Sequence, residues 1–167
     1  MVETQPDRRT ATTDSSGPVL VAVDFSTDSE AALVWACRFA SHTGTGLLVL
    51  HVVHDPGEAP GYYRRGEEDV LRPMEDVAQE MLEEFLVKVR GDHPEVAALG
   101  ELKTRLVRGI PATRILEAVE SVNASQIVMG SRGRTGLPHL LLGSKAERVA
   151  QLSPVPVTIV KAERNES

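Results

Sequence analysis

The chain has 167 residues, 41% of them hydrophobic, which suits one domain with a sizeable core. Its formal net charge of −6 and its 4% aromatic content argue against nucleic acid or an anionic membrane as the main partner. The single cysteine, Cys37, excludes a disulfide framework, and no apolar run approaches the ~20 residues of a membrane span.

Residues 1–17 are polar, rich in Thr, Ser and Asp, and lack the hydrophobic stretch of a secretory signal. They are expected to form a disordered tail, with one domain over 18–162, a short tail over 163–167, and a cytoplasmic location. Pro18 to Val23 is a short apolar run typical of a strand buried on both faces. Thr27 and Glu30 have capping-box spacing, and Ala31, Val34, Cys37, Phe39 and Ala40 give helical periodicity until Gly44 and Gly46 break it. Leu47 to Val53 is a second buried strand. The segment from His54 to Gly66, with the pair Tyr62-Tyr63, is long for a connection and has the character of a lid. Met74, Val77, Ala78, Met81, Leu82, Phe85, Leu86 and Val89 make the clearest amphipathic helix, closed by Gly91 and Pro94. Leu102 to Val107 alternates as a half-exposed strand near an edge does. Pro111 opens a helix through Val122, and Gln126 to Met129 is the fourth strand. Ser144 to Leu152 is a helix, and Val155 to Lys161 is a fifth strand whose prolines, Pro154 and Pro156, suit an edge. Strands alternating with helices predict an open, five-stranded parallel sheet with helices on both faces. If the chain builds strands 3-2-1 and then 4-5, the sheet is Rossmann-like with strand order 3-2-1-4-5.

Between the fourth strand and the last helix lies a glycine-rich stretch containing Gly130, Arg132, Gly133, Arg134, Gly136, Gly143, Ser144 and Lys145. Backbone without Cβ admits a phosphate closely, and a helix start offers unpaired N–H groups with partial positive charge. The Ser144 hydroxyl and three cations add to this. In the expected topology the chain reverses between strands one and four, where open sheets hold ligands. Asp24, ending strand one, would face the loop there and accept hydrogen bonds from ribose hydroxyls. The plainer alternatives are a Ser144–Glu147 capping box, turn glycines and an ordinary strand-end aspartate.

These residues resemble the universal stress protein family. Gly130, Gly133, Gly143 and Ser144 meet the Gly-x2-Gly-x9-Gly-Ser signature of its ATP-binding branch. The likeness runs from Val19 to Lys161. It includes Val23-Asp24-Phe25-Ser26, Leu50-His51-Val52, Gly109-x-Pro111-Ala112, the run Ile127 to Gly136, Leu141 to Val149, and Pro154 to Val157. The resemblance implies ATP, ADP or AMP as ligand, with Asp24 on ribose and Val23 beside the adenosine. It implies the Val52 backbone on the adenine edge, with Met129 nearby. Gly130, Arg132, Gly133, Gly143, Ser144 and Lys145 would surround the phosphates, with a divalent cation, usually magnesium, bridging their oxygens. Homodimers through antiparallel pairing of the last strand, Val155 to Lys161, are also implied. Lys145 and Arg132 depart from the commonest residues at their positions.

Elsewhere the sequence points to structural roles. His51 and His54 fall on opposite strand faces and do not share a metal. Glu67-Glu68-Asp69 and Glu83-Glu84 have the character of solvated acidic clusters, Cys37 of a buried inert thiol, and His139 of a surface residue. No nucleophile or acid–base pair is marked at the loop. The expected function is nucleotide-responsive stress or signalling, acting on a downstream protein. The alternatives are a slow magnesium-dependent ATPase or phosphotransferase, and a dimeric interaction module that needs no nucleotide.

Overall fold

Val19–Val23 forms strand β1 with all five residues buried, because apolar side chains on both faces let helices cover both sides. The computed structural model describes residues 17–54, 61–97, 100, 102–133 and 141–163. After β1 come helix α1 (Thr27–Thr43), strand β2 (Leu47–Val53), a 3-10 turn (Glu67–Leu71), helix α2 (Met74–Asp92) and the single turn α3 (Pro94–Ala97). Strand β3 (Lys103–Arg108), helix α4 (Pro111–Val122), strand β4 (Gln126–Gly130), helix α5 (Ser144–Leu152) and strand β5 (Val157–Val160) complete the order. The sheet runs β3-β2-β1-β4-β5 with every pairing parallel, as the sequence predicted.

Strand alternation divides the core. Val19, Val21 and Val23 pack with Ala32, Leu33 and Ala36 of α1 and with Leu82 and Val89 of α2. Leu20 and Ala22 point the other way, joining Leu50, Val52, Ile127 and Met129 under α4 and α5. Burying a branched side chain contributes about 1.5–3 kcal/mol, so each face is a substantial source of stability. Cys37 lies fully within the first cluster, and burial pushes its thiol up to about 11, which keeps it protonated.

Several local expectations change. The cap of α1 is Ser26, not Thr27: the chain leaves β1 through Phe25 in the left-handed region at φ 65°, which sets Ser26 extended. Its Oγ accepts from Ser29 N–H at 3.1 Å. Gly91 lies inside α2, which runs on to Asp92 before Pro94 opens the next turn. Strand β3 starts at Lys103, one residue after the expected start, and ends at Arg108. Strand β5 starts at Val157 rather than Val155, because residues 153–155 form a local turn. In it Ser153 Oγ donates to the Val155 carbonyl at 2.7 Å and accepts from Val155 N–H at 3.2 Å. The expected acidic loop at 67–69 is the 3-10 turn. Its Asp69 is buried, accepting from Arg65 N–H and pairing with Arg72.

Candidate functional site

Strands β1 and β4 are neighbours, yet the chain reaches β2 from one and β5 from the other. The carboxyl ends of β1 and β4 therefore flank the point where strand order reverses. Asp24 follows β1. Its Oδ1 accepts from Ser26 N–H at 3.1 Å and Ser26 Oγ–H at 2.5 Å, so the carboxylate is held in one orientation. Its other oxygen, Oδ2, faces Gly133: a Cβ on that glycine would stand 2.8 Å away. A side chain there would have to displace the Asp24 carboxylate from its bonds to Ser26.

Gly130 has a different task. A Cβ on it would lie 2.8–2.9 Å from the Asp28 and Ser29 backbone of α1, so the missing side chain lets the helix start press against the end of β4. Gly143 lies across the loop, its N–H donating to the Ser131 carbonyl at 2.7 Å. It is also the N-cap of α5, and no side chain caps that helix. Ser144 is thus the first helical residue, and the expected Ser144–Glu147 capping box does not form. Glu147 N–H bonds the Gly143 carbonyl at 2.9 Å, as the first turn requires. Gly143 has no side chain to cap α5, and the first-turn N–H groups give the helix start a partial positive charge. Ser144 and Lys145 are exposed there.

Arg132 is mostly covered, with its Nε 3.9 Å from Asp28 Oδ2. Gly143 stands beside Arg132 and Gly133, Asp24 Oδ2 faces Gly133, Ser144 and Lys145 follow in the first turn of α5, and Gly130 is turned towards α1 instead. Val52 and Met129 share the face beneath α4 and α5. Val23 is not brought to that face: its side chain packs towards α1 and α2, and its carbonyl accepts from His51. Residues 134–140, with Arg134, Gly136 and His139, lie outside the described residues, as do 55–60 of the expected lid.

The described end of that lid is tied to β1 by its two tyrosines. The Tyr62 hydroxyl donates to the Asp24 carbonyl at 2.7 Å. The Tyr63 hydroxyl donates to His51 Nε2 at 3.0 Å, while His51 Nδ1–H donates to the Val23 carbonyl at 2.7 Å. Partners on both ring nitrogens fix one neutral tautomer, and burial lowers the His51 pKa below its ordinary 6.5. Phe25 stacks on His51 with centroids 4.2 Å apart, which helps hold its left-handed backbone next to Asp24.

Sequence reasoning missed Asp28, which is buried and accepts from Ser131 Oγ–H and Arg132 N–H just past β4. An acidic residue in a helix first turn is so common that spacing alone gives no signal. A separate cavity of about 340 Å³ lies against Arg64, Arg72 and Arg108. Two of these are already paired, Arg72 with Asp69 and Glu80 and Arg108 with Glu75, so it offers no comparable anion site.

The model of the universal stress protein family matches residues 16–161. A universal stress protein of Mycolicibacterium smegmatis is 36% identical over 148 residues, covering 89% of this chain, which spans only 47% of that relative's length. One from Methanocaldococcus jannaschii is 31% identical over 148 residues, covering 89% of this chain and 84% of the relative. Among solved structures, a universal stress protein from Archaeoglobus fulgidus in complex with dAMP is 26% identical with a TM-score of 0.59. That superposition covers 88% of this chain and 99% of the other.

Proposed function

The chain belongs to the universal stress protein family, and from that premise we propose that it binds an adenine nucleotide, ATP first, in the crevice beside Asp24. One observation carries the reading. At the switch point a fixed carboxylate faces Gly133, next to a helix start whose N-cap is a glycine. In this reading Asp24 Oδ2 accepts from ribose hydroxyls. Gly133, Gly143 and the first turn of α5, with Ser144 and Lys145, suit phosphates. The ends of β2 and β4, at Val52 and Met129, offer backbone and apolar contact for the base. The relative from Archaeoglobus fulgidus that was solved with dAMP supports the same ligand class.

The nucleotide acts as a ligand that orders the loop in a stress or signalling role. Among the described residues no group of three His, Cys, Asp or Glu is placed to hold a metal ion. A magnesium ion would therefore arrive on the phosphate oxygens. Isothermal titration tests the reading, with saturable binding of ATP, ADP or AMP expected; no heat from any of the three would overturn it. Phosphate release with magnesium tests the enzymatic alternative, which requires turnover near the ~1 s⁻¹ lower end of enzymes.

The dimer belongs to the same reading. β5 ends the sheet, and its Pro156 and Val160 carbonyls accept from Ile127 and Ser131 N–H at 2.9 and 2.8 Å. By alternation the groups of Val157 and Ile159 point outward, free to pair with a second copy.

A further inference from the structure

We propose that Asp28 is a positioning residue for the phosphate side of this crevice, an inference that rests on the nucleotide reading above. Its buried carboxylate gathers three elements. Oδ2 accepts from Ser131 Oγ–H at 2.6 Å and from Arg132 N–H at 3.2 Å, with the Arg132 guanidinium alongside at 3.9 Å. Oδ1 accepts from Ala162 N–H at 3.1 Å, just past β5. The acceptor itself sits in the first turn of α1, held against β4 because Gly130 has no side chain. Gly130 and Asp28 thus act together: the glycine lets the helix start approach, and the carboxylate then fixes residues 131–133. Asp28 touches no ligand in this arrangement. It sets where Gly133 stands opposite Asp24 and turns the Arg132 side chain inward.

Only a carboxylate satisfies this set. Both oxygens face donors, and an amide has one acceptor and one NH₂. In Asp28→Asn the amide nitrogen must confront either Arg132 N–H or Ala162 N–H, and one half-buried donor loses its partner.

The test is titration of wild type and D28N with ATP and, separately, with adenosine, alongside a thermal melt. Loss of a charge-assisted contact that fixes the loop is expected to weaken ATP binding at least about tenfold. Adenosine, which never reaches the phosphate wall, is expected to change by less than about threefold. Hydrogen exchange at the Arg132 amide is expected to quicken in D28N. ATP and adenosine weakened equally, or ATP binding unchanged, overturns the positioning role, as does unaltered exchange at Arg132. Wild-type protein that binds neither ligand overturns the nucleotide reading itself and the role that depends on it.

Discussion

Asp24 and Gly133 meet at a distance that leaves no room for one more carbon. Gly133→Val is therefore expected to push the Asp24 carboxylate out of place and weaken ATP binding at least about tenfold, read by titration. The fold is expected to survive, since the change sits at a crevice and not in either core cluster. His51 gives a prediction about pH. Burial lowers its pKa below 6.5 in the folded state, so the unfolded chain takes up a proton that the folded chain refuses. Stability is complete above the unfolded value and is lost as pH falls from 6.5 through the lowered folded value. Urea melts at about pH 7.5 and 5.5 are expected to differ more for wild type than for His51→Gln. The placing of Asp24 opposite Gly133 was legible from residue type and position. That of Asp28 was not, because its meaning depends on Ser131 and Ala162, more than a hundred residues away in the chain.

Two glycines separate what an element needs from what its neighbours need. Gly91 sits in the last turns of α2 with open space where a Cβ would go, and its φ is not positive. Gly91→Ala is expected to stabilise by about 0.5–1 kcal/mol through the unfolded chain. Gly130→Ala is expected to destabilise by about 1–3 kcal/mol, because its Cβ meets backbone that cannot swing aside. Denaturant midpoints of the two variants should move in opposite directions. The 3-10 turn and the single turn α3 were not legible in the sequence. The five strands and helices α1, α2, α4 and α5 were, since apolar runs mark buried strands and three-and-four spacing marks α2. Ends were less so. The start of α1 moved to Ser26 because Phe25 takes a left-handed backbone, and no pattern in the sequence announces that. The late start of β5 and the Gly143 cap of α5 likewise depend on hydrogen bonds within a local turn and across the loop.

At the scale of the whole molecule, strand–helix alternation made the parallel sheet legible, and the order β3-β2-β1-β4-β5 sets the switch point between β1 and β4. It also leaves β5 at an edge with outward N–H and C=O groups. Light scattering at micromolar concentration is expected to give twice the chain mass. Ile159→Pro, which removes an outward donor, is expected to shift the protein towards monomer; a monomeric wild type would refute edge pairing. Gly130 has a wider consequence. The first glycine of the Gly-x2-Gly-x9-Gly-Ser pattern is explained by helix packing alone, whether or not a phosphate is ever present. A lineage that stopped using nucleotides would still be held to that glycine by the architecture. In this chain Gly130 therefore answers to the scaffold, and the nucleotide proposal leans on Gly133 and Gly143 instead.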